Sequence, residues 1–112
     1  MKVAIFEAEP WEQELFSRLK RGNEVLFREE PLSISNAAQF ADAQIISTFI
    51  YSSLGENVLG LLPSLEFIAT RSTGFDHIAL GYCKDHGIKI SNVPSYGSCT
   101  VAEHVFALIL AI

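Results

Sequence analysis

Hydrophobic positions along the chain follow two alternating rhythms. Short runs rich in β-branched residues recur at Lys2–Phe6, Glu24–Phe27, Gln44–Thr48, Glu66–Arg71 and Lys89–Asn92, and predict five strands. Between them lie stretches with helical spacing. The first opens at Pro10, whose fixed φ suits a first turn, sets Trp11, Leu15 and Leu19 on one face, and stops at Gly22. Further helices are predicted near Ser35–Ala41, from Ser53 to Leu62 ahead of Pro63, and from an N-capping Asp76 to Gly87. A last helix opens at Thr100-Val101-Ala102-Glu103, where Thr followed three residues later by Glu makes a capping box.

Strand and helix alternating from end to end predict a parallel sheet covered on both faces, flavodoxin-like, with strand order 2-1-3-4-5. Ligands of such sheets bind beyond the carboxyl ends of the strands. One rim should therefore gather residues 7–9, 49–53, 72–75 and 94–98. The last helix stands apart from this pattern. From Val105 to Ile112 it is apolar on every side, which a small domain cannot cover alone, so it is expected to meet a larger body or another chain.

Composition narrows the classes. With 49% hydrophobic and 19% charged residues, the 112-residue chain can close one modest core and is not disordered. A net charge of −5 without a basic stripe excludes nucleic acid as an expected partner; Arg18, Lys20 and Arg21 complement a helix end. The apolar run 105–112 is far shorter than the roughly 20 residues of a membrane span. The apolar run within Met1–Glu7 is too short to be expected to act as a secretory signal, and Cys83 and Cys99 are read as free thiols in a reducing cytoplasm.

Several chemistries of this fold fail on the residues. The glycines at 22, 55, 60, 74, 81, 87 and 97 contain no G-x-G-x-x-G for a dinucleotide. A Mg²⁺-binding receiver site would need acids after the first and third strands; Glu7 and Glu9 could serve at the first, but the third ends in Thr48-Phe49. Ala8-Glu9-Pro10 would repel a flavin phosphate. His77, Cys83 and His86 point in three directions at helical spacing, which argues against a shared metal. Cys99, near a helix start, keeps a minor redox or nucleophilic reading. Anion binding at Ser72-Thr73-Gly74-Phe75 survives: a glycine between strand and helix frees backbone N–H groups, and the following helix would add its positive end. The competing reading, that Gly74 only makes a tight turn, stands beside it on equal terms.

At this loop the sequence resembles a known family. Ile68-Ala69-Thr70-Arg71-Ser72-Thr73-Gly74-Phe75-Asp76-His77-Ile78, Tyr82-Cys83-Lys84, Gly87-Ile88-Lys89, Asn92-Val93-Pro94-Ser95-Tyr96 and Val101-Ala102-Glu103-His104-Val105-Phe106-Ala107 are together similar to the substrate domain of D-2-hydroxyacid dehydrogenases of the D-lactate type. The resemblance implies that residues 1–99 are a substrate-binding domain portion and that 100–112 start the helix leading to an NAD-binding Rossmann domain. It implies that Thr73 and Gly74 hold the carboxylate of a small 2-oxo or 2-hydroxy acid, that Tyr96 and Tyr51 line the pocket, and that Thr100 and Val101 approach the nicotinamide of NAD. The plainer readings are rim aromatics and a helix cap. Arg71, at a strand end, is expected in a structural ion pair.

The departures are equally informative. The family's dinucleotide glycines and its catalytic arginine, acid and histidine come later than residue 112, and His77, His86 and His104 do not match the catalytic position. The chain is therefore expected to be a fragment, inactive alone, and to lack the C-terminal segment that completes this domain in the family. A homo-oligomer formed through helix 101–112 is expected. The alternative is a free-standing flavodoxin-like binding or oligomerisation module without catalysis.

Overall fold

The apolar runs become five parallel strands, β1 (Lys2–Ile5), β2 (Glu24–Phe27), β3 (Ile45–Thr48), β4 (Phe67–Thr70) and β5 (Lys89–Ser91), ordered β2-β1-β3-β4-β5. The structure, a computed structural model, describes residues 1–93 and 109. Register sets Val3 beside Val25 and Ile45, and Ile45 beside Phe67. This is the order that the alternation predicts.

Interior strands of a parallel sheet are covered on both faces, which is why β1 and β3 are nearly continuous in apolar residues. Ala4, Phe6, Ile46 and Ile68 pack on one face against Phe40, from a 3₁₀ turn at Ala37–Phe40, against Val58 and Leu59 of α2 (Glu56–Leu59), and against Cys83 of α3 (Leu80–Asp85). Val3, Ile5, Ile45 and Ala69 pack on the other against Phe16 of α1 (Pro10–Phe16) and Leu19 of the 3₁₀ turn Ser17–Lys20. Val93 and Ile109 join this second cluster. Among the described residues no helix is long and apolar enough to cross a membrane.

Three local expectations are corrected. The buried face of α1 carries Glu12 and Phe16 and continues to Leu19, while Trp11 is 51% exposed and Leu15 only partly buried. Positions 12, 16 and 19 form a helical stripe as good as 11, 15 and 19; the first wins because an arginine waits for Glu12 beneath it. Second, α3 starts at Leu80 with Ala79 at its N-cap, not at Asp76. Residues 77–79 are held in a parallel bridge instead: Leu54 N–H donates to the His77 carbonyl at 3.0 Å and Ala79 N–H to the Leu54 carbonyl at 2.9 Å. Third, the helices predicted over 35–41 and 53–62 shrink to the 3₁₀ turn at Ala37–Phe40 and to α2. Gly22 (φ 82°) and Gly87 (φ 68°) terminate their helical segments in the left-handed conformation that glycine favours. The predicted helix from Thr100 lies outside the described residues apart from Ile109, which is helical and buried.

Candidate functional site

The loops leaving β1, β3 and β4 meet at the carboxyl ends of the strands, as the topology requires. They enclose a cleft of about 1040 Å³ lined by Glu7–Glu12, Phe49–Tyr51 and Arg71–Gly74, with Glu29 and Pro31 added from beyond β2. The fourth stretch expected on this rim, 94–98, lies outside the described residues.

Arg71 anchors the cleft from below and is 2% exposed. Its Nε donates to Glu12 Oε1 at 2.9 Å, Nη1 to Ser47 Oγ at 3.0 Å, and Nη2 to the Phe6 and Glu7 carbonyls at 2.8 and 2.9 Å. Glu12 in turn accepts the Glu9 N–H through Oε2 at 2.8 Å, closing the first turn of α1. Burial pushes the guanidinium pKa down and the facing Glu12 opposes it; the group stays charged. With four of its five N–H groups engaged, Arg71 forms the structural ion pair expected of it.

Glu7 adopts φ 55°, a conformation rare for a residue with a side chain. Its carboxylate compensates by accepting from Phe49 N–H (2.8 Å), Tyr51 N–H (2.9 Å) and Ser52 Oγ (2.7 Å). The β3 exit loop thus folds around an acid of β1's exit loop, and it presents Tyr51, 74% exposed, with Phe49 edge-on at 6.4 Å.

The loop after β4 is pinned from both sides while its apex stays open. Val93 N–H donates to the Ser72 carbonyl at 3.0 Å and Asn92 Nδ2 to the Thr73 carbonyl at 2.8 Å. Ser72 Oγ donates to the Gly74 carbonyl at 2.7 Å. The amides of Thr73, Gly74 and Phe75 meet no acceptor among the described residues. Gly74 has no left-handed φ, and a Cβ built on it would meet nothing within 4 Å. A tight turn therefore does not explain this glycine, whereas close approach by a ligand would use it. The helix-end contribution expected here is absent, because α3 starts only at Leu80 and has six residues.

Among the described residues, Glu7, Glu9, Glu12 and Glu29 line the cleft against Arg71 alone, which gives this wall of it a negative field. Of the sequence-derived site residues, Thr73, Gly74 and Tyr51 converge on it; Tyr96, Thr100 and Val101 lie outside the described residues. Glu7, Glu12 and Ser47 went unassigned as organisers, and only the 12-16-19 stripe hinted at one of them. His77 sits against Thr70 and His86 stacks on Tyr82 at 3.8 Å. Cys83 is buried, which pushes its thiol pKa up. Among the described residues no group of three His, Cys, Asp or Glu side chains could hold a metal.

Residues 3–107 match the family profile described as D-isomer specific 2-hydroxyacid dehydrogenase, catalytic domain. The D-lactate dehydrogenase of Staphylococcus aureus is 34% identical over 113 residues, covering 97% of this chain and 34% of that protein. The erythronate-4-phosphate dehydrogenase of Escherichia coli is 33% identical over 110 residues, covering 98% of this chain and 28% of that protein. Among solved structures, the Aquifex aeolicus D-lactate dehydrogenase complexed with NAD and lactic acid superposes with a TM-score of 0.77 at 34% identity, covering 97% of this chain and 33% of that one. The chain thus spans about a third of the length of these relatives.

Proposed function

Since the chain belongs to the D-isomer-specific 2-hydroxyacid dehydrogenase family, in its catalytic domain, we propose that it supplies the acid-binding half of an NAD-dependent dehydrogenase acting on a small 2-hydroxy or 2-oxo acid. Residues 1–99 form the substrate-binding portion in this reading, and 100–112 start the connection to the NAD-binding domain. The observation that carries it is the loop apex: the amides of Thr73, Gly74 and Phe75 meet no acceptor among the described residues, and no backbone strain requires the glycine among them. Backbone N–H groups suit a carboxylate because they donate without bringing a counter-charge that would itself need partners.

In this reading Tyr51 and Tyr96 belong to the acid pocket, and Thr100 and Val101 to the nicotinamide end of the NAD site. NAD supplies hydride chemistry when bound, but none of this chain's glycines has the spacing that cradles its phosphates. The residues here bind and orient the acid; proton transfer and the cationic partner for the carboxylate belong to the remaining length of such an enzyme. Lactate and a phosphorylated sugar acid are both named among the relatives. The acids lining the cleft favour the singly charged one. A homo-oligomer through helix 101–112 belongs to the same reading.

Titration with pyruvate, followed by amide NMR, tests it. Shifts should appear first at Thr73, Gly74 and Phe75, with affinity at about the millimolar end of the scale because only one wall of the pocket is present. Erythronate 4-phosphate should bind more weakly still. Shifts elsewhere in the sheet with none at this loop would refute the assignment. The purified chain should show no NAD-dependent turnover of D-lactate.

A further inference from the structure

We propose that His77 is a positioning residue for the carboxylate loop, fixing the peptide between Gly74 and Phe75 through a one-way chain of two hydroxyls and thereby adding the Phe75 amide to the acid-binding donors. The inference rests on the Thr73–Gly74 reading above and extends it to a residue on the other side of the loop.

The direction of the chain follows from counting protons. Ser72 Oγ lies 2.7 Å from the Gly74 carbonyl oxygen, which can only accept, so the single serine hydroxyl proton is committed there. Thr70 Oγ1 lies 2.6 Å from Ser72 Oγ and must therefore donate to it. With that proton committed, Thr70 Oγ1 can only accept from His77 Nε2, 3.3 Å away. The imidazole accordingly carries its proton on Nε2, and Nδ1 is the nitrogen that would titrate. Thr70 is 0% and Ser72 5% exposed, so neither hydroxyl readily exchanges its partner for water. His77 itself is fixed through its backbone, whose carbonyl accepts from Leu54 in the bridge that also shortens α3.

The consequence lies in the peptide plane. In a trans peptide the N–H points opposite to the C=O, and the described residues include no cis bond. Drawing the Gly74 oxygen toward Ser72 therefore turns the Phe75 N–H away from that hydroxyl chain, where no described acceptor engages it. Without His77, Thr70 could rotate its proton elsewhere, Ser72 would lose its fixed donor, and the 74–75 peptide would be free to turn.

Nitrogen-15 NMR of the whole 112-residue chain with labelled histidine tests the first link directly. His77 should be the Nε2–H tautomer when neutral; a proton on Nδ1 would overturn the proposal without any variant. His77→Phe keeps a ring but no donor, and should shift the Phe75 amide and speed its hydrogen exchange. His77→Gln places a donor at similar reach and should restore both. If Phe75 in His77→Phe behaves as in the wild type, or if Gln fails to restore it, the chain of hydroxyls does not position the loop. In a parallel titration, His77→Phe should weaken pyruvate binding by about two- to tenfold, the range of one neutral hydrogen bond. Should pyruvate leave the wild-type loop untouched, the substrate reading fails, while the tautomer and the Phe75 exchange rate still decide the role of His77.

Discussion

The two faces of the sheet hold the same loop by different chemistry. On the α1 face a buried guanidinium, Arg71, binds Glu12, Ser47 and two carbonyls of the β1 exit, so one charged residue ties together β1, β3, β4 and α1. On the α2 face, neutral groups of Thr70, Ser72 and His77 reach the Gly74 carbonyl. A fixed charge suits the first task, since all its partners lie in the framework and none moves with a ligand. A chain of single-proton hydroxyls suits the second, since it imposes a direction on one peptide. The charged face sets where the loop leaves the sheet, and the neutral face sets how its apex is turned.

The comparison breaks most visibly at Arg71. Arg71→Met strands the Glu12 carboxylate in the interior and removes the donors of the Phe6 and Glu7 carbonyls. Unfolding in urea should show a loss of about 3–5 kcal/mol. Adding Glu12→Leu should recover a large part, because removing both charges leaves no ion uncompensated. A single variant within about 1 kcal/mol of wild type would mean that the pair contributes nothing net, as many exposed pairs do.

The neutral face should reveal itself through pH instead. Burial pushes the His77 pKa below its ordinary 6.5, with Glu7 and Asp76 pulling it back up more weakly. The unfolded chain therefore takes up this proton near its ordinary value while the folded chain still resists it. Stability should fall as pH drops through 6.5, level off once the lower folded value is passed, and be independent of this group above 6.5. Urea midpoints of the wild type and His77→Gln, compared from about pH 8 to about pH 5, isolate the effect. Identical slopes for the two proteins would show that His77 takes no part in it.

How far the sequence carried this reading differs between sheet and site. Strand order, and the meeting of Thr73, Gly74 and Tyr51 at one rim, were legible because alternation of β-branched and amphipathic runs determines connectivity and connectivity determines the rim. Helix limits were not. Asp76 has the chemistry of an N-cap, yet the bridge between Leu54 and Ile78 claimed the backbone that a longer α3 would have used. The partners of Arg71 were illegible for another reason. They stand at positions 6, 7, 12 and 47, distant in sequence, and a glutamate inside an amphipathic helix reads as solvated until its cation is located. The tie of His77 to Thr70, seven residues earlier, and from there to Ser72, two residues on, was illegible because a strand end and its loop carry no periodic signal.

The smallest expected change in stability is at Gly74, and it separates the apex from both of its supports. Its φ is one that other residues adopt and its Cβ position is empty, so Gly74→Ala should fit without strain. Restricting the unfolded chain should then raise stability slightly, by about 0.4–1 kcal/mol. Pyruvate binding should move the other way, because the new methyl group occupies the space that an approaching carboxylate needs beside the open amides. Stability and binding, measured on the same sample by urea unfolding and amide titration, should therefore change in opposite directions. A fall in both would mean that the glycine serves the turn after all, with the loop conformation itself depending on it. A rise in stability with binding unchanged would move the acid away from Gly74 and toward another part of the cleft, with both faces still holding the loop as before.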